Sequence, residues 1–370
     1  MEKSFPIEVL DVNEAPIGIN ITSQGGQLTF PDGHAQIREN SAIGTVIGKL
    51  QALDQDAVQT LLFKLDDDAG GKFTLGLSST VCQTITNIPS VNTRCTVDLK
   101  VNGALDYETS KEYHITVRVT DNKRLFTTKQ LKISIVDQND APENVRLGGS
   151  YTASVNENAN GALVGQLVTS DQDVAQSHTY KLLDDAAGRF VIQNDKIYVS
   201  SSAYLDYEVQ KNFTVKVQSN DSGTPSLGLV QDFLIIVLDV NEAPVNITLA
   251  PANITENSQP GTVIGQLIVS DPDNYGPQGK WQTFNCQVAG NQIGKFTISQ
   301  WNVLAVGSAV IDYELASVIS VEVKCTDSGS PPLFLVTTSS ITVIDINEAP
   351  TAISLSSAVV AENQPPSLIG

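Results

Sequence analysis

The chain has 370 residues, with 41 Asp and Glu against 22 Lys and Arg, and its formal net charge is −19. Such an acidic excess repels a polyphosphate backbone and excludes nucleic acid as an expected partner. Only three His and one Met are present, which leaves little material for transition-metal or acid-base chemistry near neutral pH and disfavours an enzyme.

The chain starts with MEKSFP, which lacks the basic and then apolar order of a secretory leader. The longest apolar run, Phe233 to Leu238, has six residues, whereas a membrane-spanning helix needs roughly 20. We therefore expect no membrane span, and we expect a piece of a longer chain if the protein is secreted.

A hexapeptide of the form Asp-x-Asn-acid-Ala-Pro recurs at intervals of roughly 100 to 130 residues, which is the length of one small domain. Its four copies are expected to be linkers, at residues 11–16, 137–142, 239–244 and 345–350. The predicted complete units between them are 17–136, 143–238 and 245–344. Residues 1–10 are interpreted as the last strand of a preceding unit, and 351–370 as the start of a following one.

The same landmarks follow in the same order inside each unit. Glu-Asn comes first, then Asp-x-Asp, Gly-Lys-Phe or Gly-Arg-Phe, Asp-Tyr-Glu, and a lone Asp 15 residues later. Stretches with a period of two, such as Ile115, Val117 and Val119, are typical of half-buried strands, and no long amphipathic helical period occurs. The sequence therefore predicts an all-β fold of tandem seven-stranded antiparallel Greek-key β-sandwiches in an elongated rod.

The first unit is longer than the others because of extra residues at about 23–36 and 76–104, both of which we expect to be surface loops. Cys82 and Cys95 bracket part of the second segment, and Cys286 and Cys325 lie in apparent neighbouring strands of the third unit. An even count paired within units favours disulfides in an oxidising compartment, with buried free thiols as the alternative.

The repeated acids occur at strand ends and in short connectors. If the chain enters each sandwich at one pole and leaves at the other, stacked units bring the Glu-Asn and Asp-Tyr-Glu acids of one unit against the Asp-x-Asp and late Asp of the next. The first complete junction then collects eight carboxylates: Glu39, Asp106, Glu108, Asp137, Asp140, Asp171, Asp173 and Asp221. The second collects Glu157, Asp206, Glu208, Asp239, Glu242, Asp271, Asp273 and Asp327.

Such a cluster needs cations, because like charges about 4 Å apart repel by roughly 4 kcal/mol per pair at an effective dielectric near 20. A shell of oxygen atoms, without His or Cys, selects Ca²⁺ over Zn²⁺ or copper. Since each ion takes six to eight ligands and many are shared, about three Ca²⁺ ions would nearly balance a complete junction.

These motifs, in this order, resemble the cadherin family over essentially the whole chain. The resemblance implies extracellular repeats whose junctions each bind three Ca²⁺ ions and stiffen a rod used for adhesion between cells. It also implies a parent chain anchored in the plasma membrane outside this segment, and another cadherin-type ectodomain as a partner in cis or trans.

The resemblance further implies a ligand set for each ion of the first complete junction. The first ion would take Glu39, Asp106, Glu108 and Asp140. The second would take Glu39, Glu108, Asp137, Asp140, Asp173 and the Gln138 carbonyl. The third would take Asn139, the Ala141 carbonyl, Asp171, Asp173 and Asp221.

The other linkers follow by position. The second complete junction adds the linker residues Val240, Asn241 and Ala243 to its acids. The first linker would hold the ion nearest the first unit with Asp11, Asn13, Glu14, Asp54, Asp56 and Asp121. Partial occupancy is expected at the last linker, where no second Asp-x-Asp follows Glu256, Asp312, Glu314, Asp345 and Glu348.

The linkers depart from the family pattern Asp-x-Asn-Asp-Asn-x-Pro because each is one residue shorter and has Ala in place of the second Asn. Ala can still supply a backbone carbonyl at that position. Glu14, Glu242 and Glu348 also replace the linker Asp that Asp140 keeps.

Two further interpretations compete with calcium-dependent adhesion. The first is a cell-surface receptor or matrix adhesin that binds a heterologous protein or glycan, which an exposed aromatic cluster would favour. The second is a hydrolase, but Gly-x-Ser-x-Gly is absent, and His34, His114 and His178 occupy unrelated places and are expected at the surface. N-glycosylation sequons fit secretion and begin at Asn20, Asn212, Asn220, Asn246 and Asn253.

Overall fold

The computed structural model describes residues 3–22, 34–85, 91–149, 152–274 and 282–355, together with 359 and 362. Its described part contains strands β1 to β24, which form six four-stranded sheets, and two short 3₁₀ helices at Pro272–Asn274 and Gly290–Gln292. Two sheets pack face to face in each of three successive sandwiches, so the predicted all-β tandem fold is confirmed.

The first sandwich pairs sheet β1-β3-β6-β5 with sheet β2-β8-β7-β4. Its strands are β1 (Ile17–Thr22), β2 (Ala35–Arg38), β3 (Val46–Asp54), β4 (Leu62–Asp67), β5 (Phe73–Thr84), β6 (Thr93–Val101), β7 (Glu112–Thr120) and β8 (Phe126–Val136).

The second and third sandwiches repeat this topology with the same strand order. The second contains β9 (Asn144–Leu147), β10 (Ser154–Asn156), β11 (Leu163–Ser170), β12 (Thr179–Asp184), β13 (Phe190–Gln193), β14 (Lys196–Val199), β15 (Asn212–Asn220) and β16 (Gly228–Leu238). The third contains β17 (Asn246–Ala250), β18 (Asn253–Thr255), β19 (Val263–Ser270), β20 (Asn285–Val288), β21 (Phe296–Ile298), β22 (Val303–Val306), β23 (Val318–Thr326) and β24 (Phe334–Ile344).

Each sandwich has its own core, built by strands that bury alternate residues. Ile115, Val117 and Val119 on β7 are all fully buried, as the period of two predicts. Complete burial of such a side chain contributes about 1.5–3 kcal/mol, so the separate cores can hold each unit folded whatever happens at the linkers.

The first strand of each seven-stranded sandwich is split in two, so each unit has eight strand segments. β1 pairs antiparallel with β3, whereas β2 pairs parallel with β8, and β10 and β18 pair in the same way with β16 and β24. The antiparallel prediction is therefore incomplete. The parallel pairing matters because β2 and β8 then end side by side, at the pole where the chain leaves the unit.

The expectation of a surface loop at 76–104 is wrong. In the described part of this segment β5 pairs antiparallel with β6, and alternate β6 residues such as Cys95, Val97 and Leu99 enter the core. Cys82 lies opposite Cys95 and is bonded to it, and Cys286 on β20 is bonded to Cys325 on β23. Both predicted disulfides are confirmed. Of the other extra segment, residues 23–33 lie outside the described residues.

Several sequence predictions remain predictions. Residues 3–10 are exposed and form no strand, and most of 351–370 lies outside the described residues. The unit boundaries and the rod shape likewise stay predictions. None of the described helices has the length and apolar character that a bilayer crossing requires.

Candidate metal sites at the repeat junctions

A buried glutamate lies at the exit pole of each unit, which is the end of the sandwich where the chain leaves it. Glu39 follows β2 directly, its N–H donates to the Val136 carbonyl, and its side chain is 1% exposed. One carboxylate oxygen accepts the Gln138 N–H of the linker at 2.7 Å, and the other accepts the Tyr107 N–H at 2.6 Å. The parallel pairing of β2 with β8 thus places Glu39 between the linker and the Asp-Tyr-Glu turn.

The other two units build the same contacts. Glu157 accepts the N–H groups of Val240 at 2.9 Å and Tyr207 at 2.7 Å. Glu256 accepts those of Ile346 at 2.7 Å and Tyr313 at 3.0 Å. The Glu of each Glu-Asn pair therefore keeps one role throughout the chain.

The Asp-Tyr-Glu turn is closed by its own aspartate. Asp106 accepts the Thr109 N–H and the Thr109 hydroxyl, each at 2.8 Å, and these hydrogen bonds lower the pKa of Asp106. Asp206 and Asp312 accept the N–H groups three residues later in the same way. The turn fixes Asp106 and Glu108 beside Glu39.

Carboxylate oxygens converge at each exit pole. Ligand oxygens of Glu39, Asp106 and Glu108 lie within 4.8 Å of one another, as do those of Glu108, Asp137 and Asp173. The two clusters share Glu108, and the second joins one unit, the linker and the following unit. The second complete junction repeats both clusters, one with Glu157, Asp206 and Glu208 and the other with Glu208, Asp239 and Asp273. The last linker has one cluster, formed by Glu256, Asp312 and Glu314.

An open cleft of about 550 Å³ lies at the first complete junction. Its walls include Glu108 from the exit pole, Asp137 and Asn139 from the linker, and Asp173 and Gln176 from the next unit. The cleft gives an ion access to the shared cluster from solvent.

The pKa of one clustered glutamate is raised at each complete junction. Burial and then the neighbouring Glu157, Glu242 and Asp239 raise the pKa of Glu208 to about 7. Burial followed by Glu39, Asp137 and Asp173 also raises the pKa of Glu108. Glu208 Oε2 is buried and has no hydrogen-bond partner among the described residues. An oxygen-only donor set with an unpaired buried oxygen fits Ca²⁺.

The entry pole is the end of a unit where the chain enters from the linker. In the following unit, the Asp-x-Asp motif at this pole binds the linker. Asp173 N–H donates to Asp171 Oδ1 at 3.1 Å, and Asp173 Oδ2 accepts the Asp140 N–H at 2.8 Å. The corresponding linker N–H groups donate to the second Asp in the other units, from Glu14 to Asp56 at 3.2 Å and from Glu242 to Asp273 at 2.8 Å.

The linker asparagine and the late aspartate form a second attachment to the following unit. Asn139 Nδ2 donates to Asp221 Oδ2 and to the Pro225 carbonyl, both at 3.0 Å, and Asn139 Oδ1 accepts Gln176 Nε2 at 2.6 Å. Gly223 is required beside this amide, because a Cβ there would collide with Asn139 Oδ1.

The same attachment recurs at the other linkers. Asn241 donates to Asp327 at 3.3 Å and accepts from Gln282 at 2.8 Å. Asn13 donates to Asp121 at 2.7 Å and accepts from Gln59 at 3.0 Å. Sequence analysis missed this glutamine, although it stands three residues after Asp-x-Asp in the first two units.

The asparagine of each Glu-Asn pair was also missed. Asn40, Asn158 and Asn257 have positive φ angles of 54°, 54° and 58°. Their amides donate to the linker acids Asp140 at 2.8 Å, Glu242 at 2.7 Å and Glu348 at 2.6 Å. The constant Glu-Asn pairing was the available signal.

Not every predicted ligand joins a cluster. Asp11, Asp345 and Glu348 are exposed, and Asp140 accepts from Asn40 without joining a described three-residue cluster. The carbonyl ligands Gln138, Ala141, Val240 and Ala243 remain predictions, as do all the ion assignments.

The predicted third set, Asn139, Asp171, Asp173 and Asp221, forms no three-carboxylate cluster among the described residues. His178 is hydrogen-bonded and partly exposed: its side chain is 13% exposed, and its Nε2 lies 3.0 Å from Asp171 Oδ2.

Three consecutive sandwiches joined by acidic linkers define a tandem-repeat β-sandwich protein. The cadherin domain model matches residues 33–136, 151–238 and 250–344. The chain therefore belongs to the cadherin family, whose repeats are non-enzymatic modules of cell-adhesion proteins. In this family Ca²⁺ binds at repeat junctions and the ectodomains are extracellular.

Curated relatives are much longer than this chain. The Fat-like cadherin-related tumor suppressor homolog of Drosophila melanogaster is 27% identical over 325 residues, which cover 86% of this chain and 6% of that protein. Protocadherin alpha-2 of Homo sapiens is 31% identical over 285 residues, which cover 73% of this chain and 29% of that protein.

Solved structures share the fold. Protocadherin Gamma B7 extracellular cadherin domains 1–4 match with a TM-score of 0.54 and 24% identity, covering 84% of this chain and 74% of that one. Mouse Cadherin-23 EC22-24 matches with a TM-score of 0.53 and 21% identity, covering 90% of this chain and 100% of that one. At these identities the likeness supports the fold alone.

Proposed function

We propose that this segment serves calcium-dependent cell adhesion, in which Ca²⁺ at the junctions rigidifies an extracellular rod within a larger cell-surface protein. The observation that carries the proposal is the cluster of Glu108, Asp137 and Asp173, whose oxygens lie within 4.8 Å of one another. These three residues come from one unit, the linker and the next unit. An ion held by all three would tie two sandwiches together.

Charge explains why the junction would depend on the ion. Without a cation, like charges at this separation repel, and the flexible linker relieves the repulsion by bending the units apart. With calcium in tenfold excess over Kd, each site stabilises the bound arrangement by about 1.4 kcal/mol. Extracellular modules of this kind bind calcium with Kd values of about 10⁻⁴ to 10⁻³ M, so the ions would be held outside cells and lost in chelator.

The proposed ligands are the sets predicted from the sequence, at about three ions per complete junction. The chain's own residues prepare these sets before an ion arrives. Glu39 and Glu157 are fixed by two backbone N–H groups each, and Asp106 and Asp206 are fixed by their turns. Preordered carboxylates reduce the conformational entropy lost on binding.

The proposed partner is another cadherin-type ectodomain, in cis or trans. The similarity to protocadherin alpha-2 supports this choice. N-linked glycans are also proposed, at sequons whose asparagines are exposed: Asn20, Asn212, Asn246 and Asn253. Asn220 is half-buried next to Asp221 and is the least suitable acceptor.

Small-angle X-ray scattering of the full chain, with 2 mM calcium or with excess chelator, tests the function. We expect a long, rigid particle in calcium and a broader distribution of interatomic distances in chelator. Far-UV circular dichroism should stay unchanged, because the three cores do not depend on the ions. Identical scattering curves in the two buffers would contradict the proposal.

A further inference from the structure

The linker at 137–142 differs from its neighbours at the predicted third ion position. Leu61, His178 and Phe284 occupy equivalent places, each two residues after the glutamine that contacts the linker asparagine and immediately before β4, β12 or β20. Two of these side chains are apolar. Only the second unit has a hydrogen-bond donor at this place.

His178 satisfies the carboxylate that the third ion would need. Its Nε2 lies 3.0 Å from Asp171 Oδ2, and the Asp171 side chain is 3% exposed. An ionised carboxylate only accepts hydrogen bonds, so the imidazole is the donor in either of its charge states. Asp171 Oδ1 already accepts the Asp173 N–H at 3.1 Å. Both oxygens of Asp171 are therefore occupied by protein donors.

The equivalent aspartates in the other units lack this donor. Asp54 and Asp271 are 0% and 3% exposed, and the Oδ2 atom of each is buried without a hydrogen-bond partner in the described parts of the chain. Leu61 and Phe284 cannot donate to them. A buried carboxylate oxygen left unpaired destabilises the fold, and a bound cation would remove that cost.

The linker asparagine and its glutamine partner are alike at the two complete junctions. Asn139 and Asn241 accept from a glutamine amide at 2.6 and 2.8 Å, and the glutamine Oε1 is unpaired in both cases among the described residues. The difference that reaches the first Asp of the motif is His178 against Phe284, and Gln282 Nε2 additionally donates to Asp273 Oδ2 at 3.0 Å.

We infer that the His178 imidazole replaces the third cation at linker 137–142, so that this junction holds two divalent ions where the junction at 239–244 holds three. The inference rests on the proposed function, since it concerns the number of ions at the same junctions. The first complete junction thereby loses one calcium crosslink between linker and next unit, and Asp171 keeps instead a hydrogen bond within the second unit that persists in chelator.

The test is the crystal structure of the full chain in saturating calcium, for the wild type and for His178→Phe. His178→Leu is the second variant, and both replacements are residues that the chain itself uses at this position. The wild type should show two calcium ions at 137–142 and three at 239–244. Each variant should gain an ion about 2.3–2.6 Å from the Asp171 oxygens, and native mass spectrometry should count one more bound calcium.

Three ions at 137–142 in the wild type would overturn the inference. An unchanged number of calcium ions in the His178 variants would also overturn it. Loss of an ion in these variants would overturn it as well, because His178 would then be a ligand. Phe284→His is the reciprocal change and should remove one ion from the junction at 239–244. If neither junction bound calcium, the proposed function itself would fail, which is distinct from finding three ions at both.

Discussion

Asp173→Asn should separate the two opposing effects of charge at the first complete junction. The substitution keeps the shape of the side chain, and its Oδ1 atom can still accept the Asp140 N–H that now lies 2.8 Å from Asp173. It removes one negative charge from the cluster with Glu108 and Asp137. Calcium should bind more weakly, while the calcium-free junction should become less strained.

The repulsion energy and the expected loss of calcium affinity follow from the separation of the carboxylate oxygens. At 4.8 Å and an effective dielectric near 20, each like-charge pair repels by about 3.5 kcal/mol. Glu108 and Asp137 are exposed, and screening reduces each pair to about 1 kcal/mol. Loss of a charged ligand shared across the junction should weaken calcium by at least about tenfold, which corresponds to 1.4 kcal/mol.

Calcium titration followed by small-angle scattering measures both effects. The calcium concentration at the midpoint of the extended-particle transition should rise about tenfold in Asp173→Asn, and the chelator-treated variant should be less splayed than the wild type. Asp184→Asn, an exposed acid at the end of β12 outside the described metal clusters, is the matched charge control. Equal midpoints for wild type and Asp173→Asn would refute the assignment of Asp173 as a shared ligand.

Two further predictions concern pH and the disulfides. Because the pKa of Glu208 is raised to about 7 from an unfolded value near 4.5, its contribution to calcium-free stability is present below pH 4.5 and is lost as pH rises to 7. Chelator-treated protein should therefore melt at lower temperature as pH rises across this window, with a smaller slope in Glu208→Gln; equal slopes would contradict the shift. The Cys286–Cys325 bond closes a longer loop than Cys82–Cys95, with sequence separations of 39 and 13, so chain entropy predicts losses of about 4 and 3 kcal/mol on paired Ser substitution. Chemical denaturation of the two double variants measures this order, and a larger loss in the first unit would contradict it.

Local patterns were sufficient to predict the strands and the acidic poles. Alternation of apolar residues fixes which β7 residues face a core, and Ile115 and Val117 follow it. The order of motifs predicted that Asp137 and Asp173 would meet, although they belong to different units. The pairing of β5 with β6 at 76–104 was not predicted, because insertion length alone does not show whether a segment pairs with itself.

The sequence by itself determined that the chain consists of acidic β-sandwich repeats, since periodicity and motif spacing are local properties that survive without coordinates. Tertiary structure alone decided which donor reaches which carboxylate. Glu39 meets Gln138 because a split first strand runs parallel to the last, and His178 meets Asp171 from a position that is Leu61 or Phe284 in the other units. Hydrogen bonds of this kind act over about 3 Å, so they depend on side-chain placement that residue spacing does not specify.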